Sequence, residues 1–491
     1  MKPKGKALVV GAGLGGLSAA IHLALDGHQV TLLEKNEQPG GKANYRHWNG
    51  YHFDTGPSLV TMPFVLRELF ERAGRKLEDY LELTRVTPAC RYFFSDGCRF
   101  EAPGNLEGMR AAIAETFPGE EVGFDKFIKN GKRLWEVSGP AFLFNPMELS
   151  TLFKINPLKG LAGLSALRPE TLLASLQRHF KDPHLIQLFS RYATYNGSDP
   201  ARTPATFNVI SYVEMAFGSW HLQGGIYTLV KALVRLAEEL GVEIRCQCPV
   251  QALTFASGGK SVSGVELGKG ERLSSERVVI NADAVTALSG PLMAQHPKAA
   301  QWKQAWSAKE VSGSGYVMLL AIEKNFPELA CHNIFFCEEY AREFREIFDQ
   351  AKPLGDPTIY ISAPCKVDPS QAPGNGEAWF VLVNAPSLDR CADWPESYPN
   401  FLLKRLQALV PGFTPDSIRW QQNLGPTFLR DTYGAWQGSI YGPSSNSTAS
   451  AFFRVRNRSS VRGLAFAGGS AHPGGGIPLV LTSGRLAAQA L

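Results

Sequence analysis

The sequence predicts an α/β fold, a parallel sheet with helices packed against it, and three observations within the first forty residues carry that expectation. Residues 7–10, Ala-Leu-Val-Val, form an apolar run of strand length that enters a G-x-G-x-x-G turn at Gly11, Gly13 and Gly16. A mostly apolar stretch of helical length follows from near Leu17. A second strand, Gln29-Val-Thr-Leu-Leu-Glu34, ends in an acid 23 residues after Gly11. Strand, turn, helix, strand and acid in this order read as a Rossmann-like dinucleotide cradle.

Each part of the cradle has a physical task. Gly11 permits the tight turn, Gly13 leaves room for a pyrophosphate to approach the backbone, and Gly15 and Gly16 lead into a helix that packs closely on the sheet. The helix N-terminus then faces the phosphates. Glu34 is placed to accept hydrogen bonds from ribose hydroxyls, and a carboxylate there argues against a 2′-phosphate.

The following segments narrow the nucleotide. Lys35 is followed by Pro39-Gly40-Gly41-Lys42 and then by Gly50-Tyr-His-Phe-Asp54-Thr-Gly56-Pro57-Ser58. This arrangement resembles the flavin-binding amine oxidase and carotenoid desaturase superfamily, in which E-x5-G-G-R/K continues the FAD site beyond the adenosine half. The resemblance implies FAD rather than NAD, with Lys35, Gly40, Gly41 and Lys42 in the cofactor site. Lysine in place of the commoner arginine keeps the charge but loses the planar fork. Near the other terminus, Gly463-Leu-Ala-Phe-Ala-Gly468-Gly469-Ser470-Ala-His472-Pro473-Gly474-Gly475-Gly476-Ile477-Pro478 again runs from an apolar strand through a glycine loop into a helix. Bare N–H groups in such a loop suit a diphosphate and the carbonyl edge of a flavin. Preceded by Phe453-Arg454-Val-Arg-Asn457-Arg458, this run resembles the C-terminal signature of the bacterial and fungal phytoene-desaturase-type carotenoid desaturases. The resemblance extends over nearly the whole chain, and Tyr192-Ala-Thr-Tyr195-Asn196-Gly197-Ser-Asp-Pro200 is more similar to the 1-hydroxycarotenoid 3,4-desaturases. Trp220-His221-Leu222-Gln223-Gly224-Gly225 departs from the aromatic-proline pair common in the family, so a different pocket shape near the flavin is expected there.

Length and composition agree with a two-domain flavoprotein. The chain has 491 residues, is 44% hydrophobic and carries a net charge of +5. That balance suits anionic lipid surfaces but is too small to imply nucleic acid. The opening Met-Lys-Pro-Lys-Gly-Lys passes directly into the first strand without a signal-peptide core, and no apolar run reaches spanning length, so a cytoplasmic location is expected. The eight cysteines form no C-x-x-C pair and follow no zinc spacing, so no metal site is expected, although Cys246 and Cys248 share one face if they lie on a strand.

Between the two flavin segments, residues 226–240 read as a helix and 242–250 as a strand, which in the family leads to a backbone contact with the adenine at Val250. A glycine-rich hairpin at 256–270 and the strand Arg277-Val-Val-Ile280 before Asn281-Ala-Asp283 complete the nucleotide-binding unit. The expected division is an FAD-binding domain at 1–90, 222–292 and 452–491, with an α+β substrate domain at 91–221 and 293–451. The first substrate block reads as largely helical, and the second as strand-rich around Gly315–Ile322 and Ala378–Val383. Residues 141–190 mix Phe and Leu with Lys154, Lys159 and Arg168, a composition that fits either a membrane-docking segment or a helical cover for the core. A carotenoid dissolved in a bilayer favours docking.

The resemblance implies desaturation of an acyclic carotenoid: hydride leaves one carbon toward FAD and a proton leaves its neighbour, with oxygen or a quinone as the terminal electron acceptor. Glu214, His332 and His472 are the candidates for handling the proton or acting beside the flavin. Phytoene is the alternative substrate to a 1-hydroxylated carotenoid. A carotene isomerase, a terminal-methyl carotenoid oxygenase and a flavin amine oxidase are further alternatives, and the C-terminal loop speaks against the last. A lipid-escort protein of the Rab GDP-dissociation-inhibitor type resembles the fold without redox chemistry, but both flavin segments are intact here.

Overall fold

The computed structural model describes residues 4–147, 170–392, 394–452 and 454–491. A five-stranded parallel sheet runs in the order Leu464–Phe466, Val278–Ile280, Lys6–Val10, Gln29–Leu33, Glu243–Arg245. Its strands Val278–Ile280 and Leu464–Phe466 are continuous apolar runs because they are covered on both faces, and Val278, Val279 and Ile280 are wholly buried, whereas the edge strand Glu243–Arg245 is largely polar. The helix Leu14–Leu25 begins three residues before the expected start and buries every residue from Leu14 to Leu23. It is enclosed because the helices Ile477–Gln489 and Tyr227–Glu239 both pack on it.

The stretch read as one strand over 242–250 is two. Glu243–Arg245 ends the parallel sheet, and Val250–Phe255 starts a three-stranded antiparallel sheet with Val262–Leu267 and Arg272–Ser274. Gln247 between them takes φ +53°, a left-handed conformation that breaks the extended path. Cys246 and Cys248 therefore lie in the connecting turn rather than on one strand face, and both are free thiols.

A mixed seven-stranded sheet has the order Ile418–Leu424, Ser314–Ile322, Glu377–Ala385, Ile359–Ser362, His332–Phe335, Cys90–Phe93, Arg99–Ala102. Ser314–Ile322 is buried at all nine positions and pairs antiparallel along its full length with Glu377–Ala385. Two strands of this sheet come from the block read as largely helical: Cys90–Phe93 joins parallel to His332–Phe335 and carries Arg99–Ala102 beside it. Their short alternating pattern is a weak signal that packing against Phe336 and Phe94 makes decisive. The rest of that block is helical, and Leu172–His179 and Pro183–Ser190 bury Leu172, Leu176, Leu185, Leu188 and Phe189 in a core rather than on a surface. Lys154, Lys159 and Arg168 lie outside the described residues. Among the described residues, no helix is long and apolar enough to cross a membrane.

The two ends of the chain meet through glycine. A Cβ on Gly484 of the C-terminal helix would lie 2.3 Å from the Gly15 carbonyl oxygen and 2.7 Å from Ser18 Cβ, so no side chain fits between the helices. Ser18 Oγ donates to the Leu481 carbonyl across the same contact (2.7 Å). Replacing Gly484 with leucine forces the helices apart, and a destabilisation of about 2 kcal/mol or more is expected. A fall in the denaturation midpoint of the Gly484→Leu protein checks it; an unchanged midpoint would show that the contact yields.

Candidate active site

The glycine turn lies at the C-terminal end of Lys6–Val10, where a doubly wound sheet opens its crevice. Gly11 has φ +98°, which a side chain would strain, and its N–H donates to the Leu33 carbonyl (2.7 Å). A Cβ on Gly16 would stand 1.9 Å from the Gly11 carbonyl oxygen, so the helix closes directly onto the turn. Glu34 is buried beside it: Oε2 accepts from Ala12 N–H (2.7 Å) and Oε1 from Asn36 N–H (2.9 Å). A carboxylate has about four acceptor positions, so two remain toward the cavity that Glu34 lines. The acid thus holds the turn as well as offering itself to a ribose.

Sequence reasoning did not single out Asn281 as a site residue, yet its side chain organises the turn. A Cβ on Gly13 would meet Asn281 Oδ1 at 2.8 Å, one on Gly15 would meet Nδ2 at 2.6 Å, and one on Gly468 would meet Nδ2 at 2.8 Å. Both glycine loops are therefore kept bare by one amide that follows the strand Val278–Ile280. Its position at a strand end between the loops is the signal, but only if the strand order is known.

A cavity of about 1150 Å³ runs from this turn. It is lined by Gly11, Gly13, Gly15, Glu34, Lys35, Gly40, Gly41, Lys42, Val250, Gly468, Gly469, Ser470, Gly476, Ile477 and Pro478, whereas Gly16 packs behind them. Ser470 Oγ accepts from Ala284 N–H (2.8 Å), so its hydroxyl anchors a neighbouring helix. Lys35 Nζ reaches the Asp431 carbonyl at an exposed edge (3.3 Å).

A half-buried cation, Lys42, and a buried one, Arg454, face the same space. Lys42 Nζ donates to the Ile440 carbonyl, and Arg454 donates to the carbonyls of Tyr441 (3.0 Å) and Gly469 (3.4 Å) and to Ser445 Oγ (3.2 Å). Burial lowers Lys42 below its usual range and brings Arg454 down to about 10, with the Asp283 carboxylate opposing both shifts. Among the described residues neither has a carboxylate at ion-pair distance. Cations without an ion-pair partner beside two bare glycine loops and two helix N-termini fit an anionic, elongated group such as the FAD diphosphate and flavin.

Glu214 and His332 both line the cavity; His472 does not. Glu214 accepts from the phenols of Tyr192 and Tyr195 (2.7 Å each), with Arg191 3.9 Å away. His332 Nδ1 lies 2.9 Å from Tyr360 Oη, which is itself 2.6 Å from Ser58 Oγ. Burial, aided by His221 and Arg191, lowers the His332 pKa to about 3, which leaves a neutral and weakly basic ring. His472 is buried behind the loop, its Nε2 donating to the Asn145 carbonyl (2.9 Å) and its ring against the edge of Phe142. The segment Trp220–Gly225 lies outside the cavity lining, and His221 and Gln223 both bind Asp368 (3.2 and 2.7 Å). No cluster suited to a metal ion occurs among the described residues.

Comparison with known proteins places this cradle in a class. Residues 14–491 match the family described as flavin containing amine oxidoreductase, and the chain belongs to that family. It is an FAD-dependent oxidoreductase. Among curated relatives, it is 34% identical to a 1-hydroxycarotenoid 3,4-desaturase from a Flavobacterium species, covering 99% of this chain and 98% of that one. It is 33% identical to a 4,4′-diapolycopene oxygenase from a Methylomonas species, covering 98% and 97%. An oxidoreductase structure from Methanosarcina mazei shares the fold, with a TM-score of 0.64 at 16% identity over 99% of this chain and all of that one.

Two tests address the site. Gly13→Val should purify with less than about a tenth of the wild-type flavin absorbance, because its side chain displaces Asn281 and fills the phosphate approach. Glu34→Ala should lose less, and a normal flavin spectrum in Gly13→Val would move the cradle elsewhere. His332 has a pKa of about 3 folded against 6.5 unfolded, so the unfolded chain binds the extra proton between these values. Stability supplied by keeping this ring neutral is complete above pH 6.5 and falls by about 1.4 kcal/mol per pH unit toward pH 3. Melting profiles of wild type and His332→Gln should therefore diverge in slope across that window, with the variant the less acid-sensitive.

Proposed function

We propose that this protein is a carotenoid desaturase that removes a hydride and a proton from an acyclic carotenoid, with a 1-hydroxylated carotenoid desaturated at its 3,4 bond as the first reading. The observation that carries the proposal is the continuity of one cavity from the glycine turn to a wall of Trp135, Phe142, Val209, Ile210, Val213 and Ile334. An apolar channel leading from a cofactor cradle suits a hydrocarbon chain that must be aligned and kept from water. We further propose that the FAD-binding part comprises 1–90, 222–292 and 452–491, and the substrate part 91–221 and 293–451.

FAD, when bound, supplies the oxidant that receives the hydride. The protein's own residues then have three tasks. Gly469 and Gly476 would present bare backbone to the cofactor's anionic edge, while Lys42 and Arg454 would balance its charge; the Gly468 N–H is instead donated to Ser483 Oγ (3.1 Å). The aromatic and branched side chains of the cavity hold the substrate and exclude water. Glu214 is the acceptor we assign for the proton, since His332 is too weak a base to compete near neutral pH. A cationic amine substrate is disfavoured because Arg191 stands beside Glu214 on the cavity wall.

A hydrocarbon substrate resides in the bilayer, so we also propose that the protein docks peripherally on the cytoplasmic membrane face, in keeping with the composition of residues 141–190. Oxygen or a quinone would then reoxidise the cofactor. Relatives of 34% and 33% identity carry different reactions in their names, so overall similarity does not choose the substrate.

Purified protein with FAD in liposomes should convert an acyclic carotenoid to a product two hydrogens lighter and redder in absorption. In mixed liposomes, a 1-hydroxylated acyclic carotenoid should be consumed faster than phytoene. Clear preference for phytoene would overturn the hydroxycarotenoid reading alone. Peroxide release on simple amines with no carotenoid turnover would replace the desaturase reading with an amine oxidase.

A further inference from the structure

His472 belongs to the second glycine loop yet turns its side chain away from the cavity, and neither cofactor binding nor the reaction accounts for it. Its backbone is fixed on three sides: the N–H donates to the Val455 carbonyl (2.8 Å), and the carbonyl accepts from Ser483 Oγ (2.7 Å) and Asn457 Nδ2 (2.9 Å). The imidazole therefore projects from a firmly held base. It is 1% exposed, and what it meets is the end of a different element. Nε2 lies 2.9 Å from the Asn145 carbonyl oxygen, and the Phe142 ring stands edge-on to the imidazole with centroids 4.8 Å apart. Only a donor can bind a carbonyl, so Nε2 carries the proton.

The segment that His472 holds is a piece of cavity wall. The helix Glu121–Ser138 runs on into a wide π-turn over Gly139–Leu143, closed by the Phe144 N–H donating to the Gly139 carbonyl (3.2 Å). Turns of this width are uncommon inside or at the end of helices and gather at functional sites. Here Phe142 and Leu143 both line the cavity. The last carbonyls of a helix need donors from elsewhere, and two side chains near the C-terminus supply them. His472 binds the Asn145 carbonyl, and Arg485 of the helix Ile477–Gln489 donates through Nη2 to the Phe144 carbonyl (3.0 Å). Phe142 is flanked on another side by Phe452, itself a cavity residue, with ring centroids 5.3 Å apart. Phe142 thus meets His472 and the cavity at once.

We infer that His472 is a positioning residue: it ties the wall segment Phe142–Asn145 to the cofactor loop, so that Phe142 and Leu143 present a fixed surface to the hydrocarbon. This rests on the carotenoid reading above. Ser470 and Pro473, on either side of the histidine in the loop, line the same cavity, so His472 joins the wall that serves the cofactor to the wall that serves the substrate. Its side chain stands outside the cavity and acts through Phe142. Losing the hydrogen bond loosens contacts made alike before and during the reaction, which raises KM more than it lowers kcat. Cofactor binding rests on the glycines and cations of the crevice and is left unchanged.

The test uses the full-length holoenzyme with an acyclic carotenoid in liposomes. His472→Gln puts an amide donor where Nε2 stands, whereas His472→Asn puts it at the Nδ1 position, too short to reach the Asn145 carbonyl. Phe142→Leu removes the ring but keeps the wall apolar. Each variant should purify with wild-type flavin absorbance. His472→Asn should raise KM about tenfold with kcat within about threefold of wild type, and His472→Gln should restore most of the loss. Because the histidine acts through Phe142, combining His472→Asn with Phe142→Leu should do no more harm than the worse single variant. Additive losses, equal effects on kcat and KM, or loss of flavin in His472→Asn overturn the positioning role while leaving desaturation intact. Should His472→Asn not fold, Phe142→Leu carries the test: a raised KM at unchanged kcat supports the role, and an unchanged KM overturns it. If wild type turns over no carotenoid, the desaturase reading fails, and amide hydrogen exchange of the FAD-bound protein decides the tie. Faster exchange across residues 139–147 in His472→Asn than in wild type and His472→Gln supports it, and equal exchange overturns it.

Discussion

The close approach of three backbone segments around Asn281 is the constraint on which the rest depends. The turn after Lys6–Val10, the residues after Val278–Ile280 and the loop after Leu464–Phe466 meet around the Asn281 amide, which a Cβ on Gly13, Gly15 or Gly468 would crowd at 2.8, 2.6 and 2.8 Å. Asn281 N–H donates to the Val10 carbonyl (2.7 Å), which ties the end of Val278–Ile280 to the central strand Lys6–Val10. Because parallel neighbours bring all their C-terminal ends to one side, the bare loops open onto a single crevice. The C-terminal helix then closes on the first helix at Gly484, so the first and last thirty residues of the described chain form one unit.

Charge in the crevice follows from the same geometry. Lys42 and Arg454 are held by carbonyls that also lie in loops around the crevice, and Asp283 moderates both without touching either. Asp283 is itself occupied as the cap of the helix Ala284–Ser289, accepting from Val285 and Thr286 N–H at 3.0 Å. A positive field is thereby maintained where a diphosphate and a reducible ring would need it.

Away from the cradle, the cavity becomes apolar and is interrupted at Arg191 and Glu214. A buried pair of this kind contributes little net stability compared with apolar packing, so its value lies in orientation and recognition. Four tyrosines converge there, and burial raises the phenols of Tyr92, Tyr192, Tyr195 and Tyr340 far above their usual range, keeping them as neutral hydrogen-bonding groups. The single cavity thus joins the glycine-lined end to the Arg191–Glu214 cluster through an apolar passage.

By itself, the sequence determined the nucleotide cradle, because its signals are local: a strand, glycines at spacing two and three, and an acid at the end of the next strand. It also identified the flavin and the family, because the second glycine loop carries its own contiguous pattern. The apolar strands Ser314–Ile322 and Glu377–Ala385 were legible for the same reason. Only the tertiary structure decided that Asn281 keeps both loops bare, that Glu34 braces the turn, that His472 faces away from the cavity, and that Cys90–Phe93 joins the large sheet. It also decided which polar groups engage Glu214. Most of these outcomes depend on contacts between residues 100 or more positions apart, such as Tyr92 with Phe336, and no local period encodes them. Burial, which turns His332 into a weak base and leaves Arg191 Nε unpaired, is a property of the packed whole rather than of any segment.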